Sequence, residues 1–121
     1  QEGAWVTYMR DVAMLSPQDI EWFRASPAWA ERLAAAHTLP REMRAEEQYR
    51  FDAGRFRALH TPTLLLLGSD SPPFARTATE ALGAALPNSR IAVMPEQEHI
   101  AMYAAPDLFV HEVSSFLSEP Q

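Results

Sequence analysis

Two short apolar runs, each closed by residues that break regular structure, constrain this chain most. Thr63-Leu64-Leu65-Leu66-Leu67 follows Pro62 and stops at Gly68, and Arg90-Ile91-Ala92-Val93-Met94 follows Pro87-Asn88 and stops at Pro95. Continuous apolar runs of that length, bounded by breakers, read as strands buried on both faces. Leucine is a modest strand former, so the breakers carry the assignment. Between the runs, Phe74, Ala78, Ala81, Leu82, Ala85 and Leu86 recur at helical spacing. After the second run, Pro106 opens a further helical pattern with Phe109, Val113, Phe116 and Leu117 expected inward. Strand, helix, strand, helix over residues 61–121 is a βαβα unit, which implies an α/β fold with two parallel strands joined by a crossover. Parallel sheets are normally covered on both faces and contain more strands. The pattern therefore predicts missing neighbours, and a start at Gln1-Glu2-Gly3 without methionine reads either as a piece of a longer chain or as N-terminal processing.

Residues 1–60 carry only helical signals. Trp5, Tyr8, Met9, Val12 and Leu15 form one apolar stripe at helical spacing. Ser16-Pro17-Gln18-Asp19 reads as a helix start, because a serine hydroxyl caps free N–H groups and proline suits the first turn. Ser26-Pro27-Ala28-Trp29 repeats the signal, with Trp29, Leu33 and Ala36 on one face, and another helix is expected from Pro40 to about Tyr49. The tryptophans are expected to pack in the core rather than line a ligand pocket.

Composition excludes several classes of function. The formal net charge is −6 over 121 residues, and every basic residue is an arginine, with no basic stripe to hold phosphates. That argues against a nucleic-acid partner. No apolar run approaches the roughly 20 residues a membrane helix needs, so no membrane partner is expected. The absence of cysteine removes disulfides, thiolate catalysis and cysteine metal sites, and fits a reducing, cytoplasmic compartment.

In open α/β sheets, ligands bind at the carboxyl ends of the strands. The first strand ends in Gly68-Ser69-Asp70-Ser71-Pro72-Pro73 and the second in Pro95-Glu96-Gln97-Glu98-His99. An acid and a histidine thus leave neighbouring strand ends on one edge. In such a pair the carboxylate orients the imidazole, and the imidazole moves a proton to or from a nucleophile or water. Asp70 has an alternative reading as the N-cap of the following helix, and His99 one as a structural histidine. His99 with Glu96 and Glu98 is a weak candidate ligand set, and no metal is expected. His37, His60 and His111 lack a comparable setting and read as surface or packing residues.

The closing stretch, Pro62-Thr-Leu-Leu-Leu-Leu-Gly68-Ser-Asp70, a helix, Leu86-Pro87-Asn88, a strand, Pro95, His99 and a last helix with Phe116-Leu117, resembles that of the α/β-hydrolases. Those proteins show P-[TV]-L-hydrophobic-G with an acid just beyond, then L-P-[ND]-A, a strand, P-G-x-G-H and a helix ending in F-L. The resemblance covers about Leu59 to Leu117 and implies that Asp70 is the triad acid and His99 the triad base. It implies a partial α/β-hydrolase fold, with residues 1–60 as a helical cap-like segment and 61–121 as the C-terminal core segment. Members are mostly esterases, lipases, lactonases, epoxide hydrolases, dehalogenases and cofactor-free haloperoxidase-like enzymes, so no cofactor is implied. Two departures stand out. The acid in the family often lies one residue further along, where this chain has Ser71, and Glu96 and Glu98 occupy positions where relatives often place glycines.

No serine lies in the G-x-S-x-G frame of a nucleophile elbow. The expectation is therefore a C-terminal portion of a serine-type hydrolase acting on an ester or similar small organic substrate. It supplies acid and histidine, lacks the nucleophile, and is inactive alone. The alternative is a non-catalytic hydrolase-fold piece that binds or scaffolds. The expected partners are the small-molecule substrate and either the missing N-terminal half of the fold or a second copy covering the sheet edge.

Overall fold

Glu2 to Val12 is helical, first as α1 (Glu2–Thr7) and then as a wider π-type turn (Tyr8–Val12). The structure is a computed structural model that describes residues 2–119. It divides into two compact units, Gln1–Arg50 and Phe51–Gln121. In the first, Met9 and Leu15 are buried, but Val12 is 37% exposed and leaves the stripe the spacing predicts. The π-type turn advances the chain differently from a 3.6-residue helix, which rotates Val12 away from the face of Met9.

Met14 takes a left-handed conformation, with φ 54°, and turns the chain toward the next helix. There the expected cap forms. The Ser16 hydroxyl accepts the Asp19 N–H at 3.1 Å and donates to the Asp19 carboxylate at 2.8 Å, with Pro17 opening α2 (Pro17–Ala25). The repeat of that signal at Ser26 behaves differently. Its hydroxyl accepts the Ala28 N–H at 3.3 Å and its carbonyl the Trp29 N–H at 3.0 Å, so Ser26-Pro27 makes a turn. The helix α3 (Trp29–Ala35) begins after that turn without a side-chain cap. A short 3-10 stretch (Ala36–Thr38) leads into α4 (Leu39–Gln48). Met9, Leu15, Ile20, Phe23, Ala36 and Leu39 form the core of this unit. The Trp5 indole N–H donates to the Arg32 carbonyl, and the Arg32 guanidinium lies 4.6 Å from the centroid of the Phe23 ring. Trp22 is 45% exposed.

The second unit begins with a short helix (Ala53–Phe56) whose first turn is capped by the Asp52 carboxylate, which accepts the Gly54 N–H at 2.8 Å. The βαβα pattern follows as β1 (Thr63–Gly68), α5 (Pro73–Ala85), β2 (Ser89–Met94), a single turn α6 (Ala101–Ala104) and α7 (Pro106–Ser118). The short helix Ala53–Phe56 packs against α5.

The two strands are parallel, in the register Leu65↔Ile91 and Gly68↔Met94. Successive side chains alternate between faces. A Cβ added at Gly83 in α5 would touch the side chains of Ile91 and Leu65, so α5 covers that face. Arg90, one residue earlier and therefore on the opposite face, places its guanidinium 5.5 Å from the Phe116 ring centroid of α7. The strands thus lie between α5 and α7. Leu67, Ala85, Leu86, Met94, Ile100 and Ala101 are the buried apolar residues.

Cover is incomplete. Of the four leucines in β1, only Leu67 is fully buried, and Val93 is 52% exposed. Leu117, expected inward, is 73% exposed, and α7 has no fully buried residue. A two-stranded sheet offers a helix too narrow a surface to bury a whole apolar stripe. Among the described residues, no helix is long and apolar enough to cross a membrane.

Candidate active site

The carboxyl edge of the sheet is held together by backbone as much as by side chains. Gly68 ends β1 where the loop after β2 passes overhead. A Cβ there would collide with the carbonyl oxygens of Gln97 and Glu98, the second at 2.6 Å, so only glycine allows this approach. The Ser69 N–H donates to the Met94 carbonyl and the Asp70 N–H to the Gln97 carbonyl, both at 2.9 Å. The Glu96 N–H donates to the Ser69 hydroxyl at 2.8 Å. The Arg76 guanidinium in α5 reaches back to the Ser69 carbonyl at 3.1 Å. The turn after β1 and the loop after β2 are thereby one hydrogen-bonded assembly.

Asp70 and His99 both lie on this edge, in the turn after β1 and the loop after β2 respectively, and both are exposed. The Asp70 carboxylate accepts the Ser69 hydroxyl at 2.8 Å. It does not cap the following helix, whose N-cap is Pro72 without a side-chain cap bond. Among the described residues, no hydrogen bond or ion pair joins Asp70 to His99. His99 borders a cavity of about 330 Å³ at the carboxyl end of β1, together with Ser71 and Glu98. Leu66, Phe74, Ala78, Met102 and Phe109 supply its apolar wall, and Asp70 is not part of the lining.

Glu96 takes a left-handed conformation, φ 56°, in the loop that carries His99. A side chain is costly in that conformation, which glycine alone adopts freely. Among the described residues, no group of three His, Cys, Asp or Glu could hold a metal ion.

Sequence reasoning missed two things at this edge: the part played by the Ser69 hydroxyl, and the grouping of Ser71 and Glu98 with His99. Adjacency to Asp70 was the only signal for Ser69. Nothing in the sequence says that its hydroxyl meets an N–H group from the other loop.

No family model matches the chain, and no curated protein matches it. A solved structure does: the crystal structure of an alpha/beta hydrolase from Sphaerobacter thermophilus DSM 20745 is 26% identical and superposes with a TM-score of 0.74 over 97% of this chain. The match spans 44% of that structure's chain, under half its length.

Proposed function

We propose, from the premise that this chain forms part of an α/β-hydrolase fold, that it supplies the acid and the base of a serine-type hydrolase. The substrate in this reading is an ester or similar small organic molecule. Asp70 supports His99, and His99 takes the proton of a nucleophile that lies outside these 121 residues and returns it to the leaving group. The observation that carries the reading is the position of both side chains at the carboxyl edge of two adjacent parallel strands, on loops tied to each other. That edge is where open α/β sheets bind ligands. The helical residues before the sheet would form the cap that sets substrate choice.

The experiment is a chromogenic ester assay on a complete hydrolase containing this segment, native against His99→Ala. We expect His99→Ala to lower kcat by roughly 10³-fold or more, and the 121-residue chain alone to match the buffer control. Unchanged turnover in His99→Ala sinks the assignment. A non-catalytic binding or scaffold role is favoured by one observation, that Asp70 bonds to Ser69 and not to His99. A complete native protein that turns over no ester above the buffer control would select it.

The partner in this reading is the rest of the fold, or a second copy, laid along the open edge of β1. Light scattering on the isolated chain is expected to show a dimer or larger, and a cooperatively unfolding monomer at micromolar concentration would refute it. A cytoplasmic location rests on the absence of cysteine, and recovery of the protein outside the cytoplasmic fraction would overturn it.

A further inference from the structure

The Ser69 side chain touches both loops of the candidate site. Its hydroxyl oxygen accepts the Glu96 N–H at 2.8 Å, and its proton goes to the Asp70 carboxylate at 2.8 Å. A hydroxyl has one proton to give and two lone pairs to accept with, so both bonds form at once. Donation to a carboxylate is charge-assisted and stronger than a neutral bond. The Glu96 N–H belongs to a residue held at φ 56°, a backbone state that persists only when its surroundings enforce it.

We propose that Ser69 is a positioning residue: its hydroxyl ties the loop of His99 to the turn of Asp70 and sets the orientation of the Asp70 carboxylate. The proposal rests on the catalytic reading of Asp70 and His99 given above. It acts through those two residues, and Ser69 itself contacts no reacting atom. The neighbouring Asp70 N–H to Gln97 carbonyl bond is backbone only, so it survives any change at Ser69 and keeps the loops adjacent. Loss of the hydroxyl therefore frees the carboxylate and the Glu96 peptide without dismantling the edge.

The test is backbone amide exchange on the 121-residue chain, native against Ser69→Ala, Ser69→Cys and Ser69→Thr. The Glu96 N–H is expected to exchange about three- to tenfold faster in Ser69→Ala. Amides of β1 keep their native rates, which reports that the variant folds. Ser69→Cys, with its weak sulfur acceptor, reproduces the acceleration and serves if the alanine variant fails to fold. Ser69→Thr, which keeps the hydroxyl, stays within about twofold of native. Native Glu96 exchange in Ser69→Ala and Ser69→Cys, or Ser69→Thr exchanging as fast as Ser69→Ala, overturns the tie. In a complete hydrolase, Ser69→Ala is expected to lower kcat about tenfold at constant KM, and Ser69→Thr to restore it. A change in KM alone overturns the positioning role. Turnover that survives His99→Ala overturns the catalytic reading instead, so the two failures are told apart by different measurements.

Discussion

The two units close themselves in different ways. In residues 1–50 most side-chain hydrogen bonds are local: Ser16 with Asp19, Ser26 with Ala28, His37 with the Ala34 carbonyl, Thr38 with the Ala35 carbonyl. The start of α2 and the 3-10 stretch are arranged by residues within one turn of them. In residues 51–121 the contacts that matter cross from one strand end to another: Ser69 with Glu96, Asn88 with the His60 carbonyl, Gly68 against Gln97 and Glu98. Local closure makes elements that a short window of sequence can describe. Long-range closure makes a geometry that exists only after the chain has come back on itself. The candidate chemistry sits in the second kind of region, because a parallel sheet brings distant loops together at one edge.

That contrast can be broken by substitution. The largest effect is expected from Phe23→Ala in the first unit. Phe23 is 5% exposed and carries the Arg32 guanidinium over its ring, so its loss should cost about 3–5 kcal/mol by urea denaturation. A cost below about 1 kcal/mol would mean that the local signals, and not the core, hold these helices. Next is Gly68→Ala, which forces a Cβ against the Gln97 and Glu98 carbonyls. We expect about 1–3 kcal/mol, with NMR shift changes concentrated in residues 95–99. A neutral substitution there would show that the edge is looser than its hydrogen bonds imply.

Ser16→Ala sharpens the local side of the contrast. It removes the α2 cap and should cost about 1 kcal/mol, read as faster amide exchange confined to residues 18–20. Changes spread to distant helices would contradict local closure. The smallest effect is expected from Glu96→Gly. Glycine relieves the left-handed conformation, worth about 1–2 kcal/mol, and gives back about half of that as chain entropy. A net gain of about 0.5 kcal/mol in thermal or urea unfolding is expected, and a loss would mean that the Glu96 side chain makes a contact of its own that holds the loop.

Much of the architecture was readable in advance. Breakers around residues 63–67 and 90–94 located both strands to within a residue, and the intervening helical period required them to be parallel. The Ser16 cap was legible because capping needs only a hydroxyl, a proline and the next turn. Val12 and Leu117 were misplaced because their positions depend on a π-type turn and on the narrowness of a two-stranded sheet, and neither leaves a mark in apolar spacing.

At the candidate site the division is sharper. The sequence by itself determined which residue types stand at the strand ends, Asp70 after Gly68 and His99 after Pro95, because strand boundaries follow from local apolar runs and breakers. Only the tertiary structure decided what those residues touch. It turned the Asp70 carboxylate to Ser69, brought the Glu96 N–H to the same hydroxyl, and set His99 beside Ser71 and Glu98 at the cavity. Hydrogen bonds reach only about 3 Å, so partners more than twenty residues apart in the chain meet only once the parallel register of β1 and β2 has aligned their ends.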